Sequence, residues 1–264
     1  MDKQTPSLTN QIQIGGIRMT KQRQKRVQPQ EHASVLHIEK FRKERSRQVE
    51  ILPKNIRQED YLALLEDQRK SIVFAVGPAG TGKTLLACMH AIRELKAGRI
   101  EKIIITKPIQ ESGENLGFLP GSMEDKLHPY KQSYYTTFCK ILGRATVDML
   151  FATEEIVFEP LAYMRGSTYD NCIMLLDECQ NASIKQLMLW VTRLGKDSKA
   201  VMMGDTSQYD VRKKDSGYND FIKMVDGMND LCLFEFNNED IVRNKFLIQI
   251  ANRYDKYRSE QKEF

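Results

Sequence analysis

Apolar residues in this chain fall into short continuous runs, separated by segments in which they recur at helical spacing. The runs Ile72-Val73-Phe74-Ala75-Val76, 102–106, Ile156-Val157-Phe158, 172–176, 199–203 and 231–236 read as strands, each too short for a helix and bounded by turn-forming residues. Between them the spacing predicts helices over about 83–97, ending near Gly98, then 123–139, 146–150, 183–194 and 216–227, with a closing helix from about Arg243. An extended lead through Pro53 enters a helix whose apolar face begins at Leu62, Leu64 and Leu65. Strands that are apolar throughout and alternate with helices predict an α/β fold: a mostly parallel sheet with helices on both faces. Ligands of such sheets sit beyond the carboxyl ends of the strands.

The first 48 residues depart from this pattern. They carry 11 Lys/Arg against four Asp/Glu, whereas the remaining residues carry 29 against 31, so the net charge of +5 originates at the front. Residues 1 to about 35 bury too little apolar surface to offset the entropy of ordering, and a charged helical segment is expected from about 33 to 48. The division is therefore a basic, flexible or partly helical extension at 1–48 and one compact domain at 49–264. A basic arm either binds nucleic-acid phosphate by releasing counterions or is a solvated leader. No apolar run is long enough to cross a bilayer, and the amino terminus lacks the apolar centre of a secretory signal, so a cytoplasmic protein without membrane contact is expected. Cys88, Cys139, Cys172, Cys179 and Cys232 are scattered without a C-x-x-C pair and read as free thiols.

Candidate chemistry sits at strand ends. Gly77-Pro78-Ala79-Gly80-Thr81-Gly82-Lys83-Thr84 lies between the first strand and a helix, with the spacing G-x-x-x-x-G-K-[ST]. Glycines let backbone N–H groups close on a polyphosphate, the helix start adds unpaired donors, Lys83 reaches the β- and γ-phosphates, and the Thr84 hydroxyl serves Mg²⁺. ATP and Mg²⁺ are the expected ligands. The strand 172–176 delivers Asp177 and Glu178, the first for the magnesium shell and the second to orient or deprotonate a water. That pair favours hydrolysis over transfer to an acceptor, as a small-molecule kinase would require. At the end of 199–203, Gln208 is a candidate contact of the γ-phosphate or water, although the same turn is also explained by Asp205 and Ser207 bonding their own backbone. Gln58 is a candidate for an adenine edge, since an amide both donates and accepts. Tyr130, Tyr134, Tyr135 and Phe138 either stack on bases or serve as core or subunit contacts.

The set Pro53-Lys54-Asn55-x-x-Gln58, the 77–84 loop, Gly113-Glu114-x-Leu116-Gly117-Phe118-Leu119-Pro120-Gly121, Asp177-Glu178-x-Gln180-Asn181 and Gly204-Asp205-x-x-Gln208 resembles the PhoH family over about 51–254. The resemblance implies a single RecA-like P-loop ATPase domain related to superfamily 1 helicase cores. It further implies ATP hydrolysis, a homo-oligomer, typically a hexameric ring, and action on single-stranded nucleic acid with RNA favoured. The nuclease fused to some relatives is expected to be absent. Arg243 stands where the family carries an arginine near the last helix, either as a finger toward the γ-phosphate, from the same or the adjacent subunit, or as a structural partner of Glu239 or Asp240. Arg165 is a second candidate for that task. Two positions depart from the family pattern: Ser167 in place of a second arginine and Lys107 in place of an arginine. The loop 107–121 is expected to contact ligand or substrate. The competing reading is a nucleotide-dependent regulatory or scaffolding protein without motor activity.

Overall fold

The computed structural model describes residues 49–108, 123–205 and 215–243, with single positions between and beyond these ranges, all within one compact unit spanning Phe41–Phe264. The basic extension and residues 109–122, which hold most of the long loop, lie outside the described residues.

Continuous apolar runs form the sheet, as their lack of alternation requires when both faces are covered. In chain order the elements are α1 (Ile56–Glu66), β1 (Ile72–Val76), α2 (Lys83–Lys96), β2 (Lys102–Thr106), α3 (Met123–Leu142), α4 (Arg144–Ala152), β3 (Ile156–Phe158), β4 (Cys172–Leu176), α5 (Ile184–Val191), β5 (Lys199–Gly204), α6 (Tyr218–Val225) and β6 (Leu231–Glu235). The sheet order is β3-β2-β4-β5-β1-β6, and every pairing is parallel. Strand β5 thus separates β1, which leads into the glycine loop, from β4, which delivers the acidic pair. This is an α/β arrangement with a parallel sheet.

Alternate strand residues feed two cores. Val73, Ala75, Ile103, Ile105, Leu175 and Val201 pack with Tyr61, Leu86, Ile92, Tyr134 and Phe138 on one face. Phe74, Ile104, Met174, Leu176 and Met202 pack with Leu187, Trp190 and Phe221 on the other. Tyr134 and Phe138 are therefore core residues, and the Tyr135 hydroxyl donates to Asp148 Oδ1 at 2.5 Å. Helix α5 stops at Val191, three residues short of the expected end. Its start is fixed by a capping box between Ser183 and Gln186, while at its end the Thr192 hydroxyl takes the Met188 and Leu189 carbonyls. Past Arg243 the described positions Phe246, Gln249, Ile250, Arg253 and Tyr257 are helical, in line with the expected closing helix.

Candidate active site

The glycine loop takes its shape from what surrounds it. Gly82 stands at the N-cap of α2 with φ 93° and supplies no side-chain cap, so the first N–H groups of the helix face the loop unclaimed. A Cβ on Gly80, also at φ 93°, would meet Arg243 Nε at 2.5 Å, and one on Gly82 would meet Gln58 Nε2 at 2.7 Å. Only glycine satisfies both the backbone and these approaches.

Three distant segments brace that loop. Gly77 N donates to Gly204 O at 3.1 Å, Phe236 N to Val76 O at 2.8 Å, and Val242 N to Gly80 O at 3.0 Å. Gln58 is buried; its Nε2 donates to Thr81 O and its Oε1 accepts from Lys54 N, both at 2.8 Å. The amide expected to read an adenine edge is thus engaged at both ends by the chain itself, where it fixes the loop to the start of α1. Asn55 caps that helix through Gln58 N and also donates to Asp240 O at 3.2 Å, which ties the turn before Arg243 to the same corner.

Lys83 Nζ donates to Gly77 O at 2.6 Å and Pro78 O at 2.8 Å, holding the loop closed around its own ammonium. Burial pulls the Lys83 pKa down, and Asp205, Asp177 and Glu178 oppose that shift. Thr84 Oγ1 lies 3.3 Å from Asp177 Oδ1. This contact joins the start of α2 to the end of β4. Burial, reinforced by the Glu178 charge, raises the Asp177 pKa above the ordinary carboxylate range. The buried Tyr134 hydroxyl faces Asp177 closely enough that the two groups affect one another's protonation, the hydroxyl partly opposing the rise at Asp177.

Glu178 occupies the left-handed region at φ 53°, ψ 38°, uncommon for a side chain of this size. Its Oε2 accepts from Gln180 Nε2 at 2.7 Å, and its Oε1 lies 3.7 Å from Lys107 Nζ. Gln180 is fully buried; its Nε2 also donates to Gln208 O at 2.8 Å, and its Oε1 accepts from Asp205 N at 3.0 Å. The tips of β4 and β5 are therefore joined through one side chain that the sequence motif includes but to which sequence reasoning gave no role. The available signal was a glutamine two residues beyond the acidic pair.

Ala79, Gly80, Gly82, Lys83, Thr84, Asp177, Glu178, Asp205, Gln208 and Arg243 wall one cleft of about 280 Å³. Arg243 enters this cleft from its own chain, and among the described residues it makes no ion pair with Glu239 or Asp240. Arg165 is exposed and does not line the cleft. The five cysteines are free, Cys88, Cys172 and Cys179 being buried. Among the described residues there is no cluster of His, Cys, Asp and Glu suited to a metal, and no helix is long and apolar enough to cross a membrane. A hydroxyl and a carboxylate 3.3 Å apart at the phosphate loop do fit a magnesium ion that takes its remaining oxygens from phosphate and water.

A family model described as PhoH-like protein matches residues 50–255. The PhoH-like protein of Bacillus subtilis (strain 168) is 41% identical over 204 residues, 77% of this chain and 63% of that protein. The PhoH-like protein of Mycobacterium tuberculosis (strain ATCC 25618 / H37Rv) is 36% identical over 208 residues, 78% of this chain and 58% of its own length. Protein PhoH of Escherichia coli (strain K12) is 33% identical over 207 residues, 77% of this chain and 58% of its own. The chain thus spans 58% to 63% of the length of these relatives. Among solved structures, Pif1 helicase from Candida albicans aligns with 71% of this chain and 41% of its own, at TM-score 0.33 and 14% identity. Since the family model covers most of the sequence and the same glycine loop, acidic pair and Gln208 turn meet in one cleft, the chain belongs to the PhoH-like protein family.

Proposed function

We propose that the protein binds ATP across residues 77–84 and hydrolyses it. The observation that carries this reading is the convergence of Lys83, Thr84, Asp177, Glu178 and Arg243 on one cleft, with Thr84 and Asp177 in contact. The N–H groups of the loop and of the start of α2 bind the phosphates, and Lys83 exchanges its loop carbonyls for phosphate oxygens. Thr84 and Asp177 would hold a magnesium ion, which would supply neutralisation of phosphate charge when bound. Glu178 orients a water and accepts its proton, and Gln208 stands at the same wall to help place it. Arg243 stabilises charge developing on the γ-phosphate; its position beside Gly80 favours donation within the chain.

The partner in this reading is single-stranded RNA, and the working form is a cytoplasmic homo-oligomer, a hexameric ring. Support comes from the basic residues concentrated in 1–48 and from the exposed apolar stripe Phe246, Ile250 and Tyr257 on the closing helix. ATP turnover measured on size-separated oligomers, with and without single-stranded RNA, tests it. Acceleration of several-fold on adding RNA, confined to the oligomer fraction, is expected. Turnover indifferent to RNA contradicts the RNA assignment and favours a nucleotide-dependent scaffold.

A further inference from the structure

The carboxylate assigned to the water takes both its partners from outside the cleft. Glu178 walls the cleft, but neither Lys107, 3.7 Å from Oε1, nor Gln180, 2.7 Å from Oε2, does so. Lys107 follows β2, which lies beside β4 on the side away from β5 and β1. Its ammonium therefore reaches Glu178 from a residue on the far side of β4, and its charge acts on Asp177 as well. Gln180 is anchored to Asp205 N and Gln208 O and cannot follow the carboxylate inward. Lys107 is different: its side chain is 26% exposed, and a long ammonium stem is easily redirected.

We propose that Lys107 is a positioning residue that holds Glu178 off the attacking water, so that each hydrolytic event requires this ion pair to break. The inference rests on the reading of Glu178 as the group that handles the water. A general base acts only within about 2.6–3.2 Å of the atom whose proton it takes, or through one further water. While Lys107 engages Oε1 and Gln180 engages Oε2, both oxygens of the carboxylate are committed to partners that do not line the cleft. Partly exposed ion pairs are weak, so the restraint slows turnover only about two- to fivefold.

The test compares steady-state ATP turnover, without nucleic acid, in Lys107→Met, Lys107→Arg and the unaltered protein. Lys107→Met removes the ammonium and keeps an unbranched side chain. Its kcat is expected to rise about two- to fivefold with KM unchanged, whereas Lys107→Arg, which keeps a cation, stays near the original rate. Nucleotide affinity serves as the folding control; if Lys107→Met fails it, Lys107→Gln carries the same readout. An unchanged or lowered kcat in a variant that binds nucleotide normally overturns the proposal, as does an equal rise with Lys107→Arg. Adding Glu178→Gln separates the two layers of the argument. Should Glu178→Gln alone turn over normally, the role of Glu178 fails; should it be silent while Lys107→Met is not accelerated, only the restraint fails.

Discussion

Gln180 shows how much one buried side chain holds at this site. Its amide nitrogen spends both hydrogens, on Glu178 Oε2 and Gln208 O, and its oxygen accepts from Asp205 N. No solvent reaches it. Replacing it leaves the Asp205 N–H without this acceptor in a buried setting, a loss of about 1–3 kcal/mol. Urea unfolding of Gln180→Ala should show a decrease of that size, together with loss of order at the β5 tip; a change below about 0.5 kcal/mol would mean that other groups make good the missing bonds. Glu178 adds a local cost. A left-handed non-glycine backbone is disfavoured by about 1–3 kcal/mol, so the surrounding bonds of Gln180 and the sheet must hold it there.

At the scale of elements, what the sequence revealed follows from what is local. β1, β2, β4 and β5 were legible because their burial on both faces leaves an uninterrupted apolar run, and α2 because its start is the phosphate loop itself. Strand order was not legible: nothing in β1 or β4 states that β5 lies between them. The same limit applied at the site. Lys83, Thr84, Asp177 and Glu178 could be found because each ends or begins an element. The bond from Gln58 to Thr81 and the approach of Lys107 to Glu178 could not, since each joins segments whose separation in the chain carries no signal. Tyr134 illustrates a reading left open by spacing alone. An aromatic at helical intervals suits a core or a base, and burial beneath Asp177 decides for the core.

For the molecule as a whole, chemistry is gathered at the carboxyl edge of the sheet while a polar cluster supports the opposite edge. There the Lys199 ammonium bonds the Leu65 and Asp67 carbonyls, and Glu94 takes Arg99 through two bonds of 2.6 and 2.7 Å. His90 lies between these groups, also facing Arg93, and burial pushes its pKa down from 6.5 to about 4, the Glu94 charge only partly opposing this. The unfolded chain therefore takes up a proton below about pH 6.5 that the folded chain refuses until about pH 4. The stability tied to a neutral His90 is complete above that window and is lost as pH falls through it. Between about pH 7.5 and about pH 5, the unaltered protein should lose about 2 kcal/mol more unfolding free energy than His90→Gln. Equal losses would show that His90 is protonated without penalty. The central claim is tested most directly by phosphate release from Mg-ATP, with nucleotide affinity measured in parallel, for the unaltered protein, Lys83→Ala and Glu178→Gln. Lys83→Ala should lose affinity, and Glu178→Gln should bind as before while its turnover falls about 100-fold or more. Phosphate release at the original rate from Glu178→Gln would contradict the account.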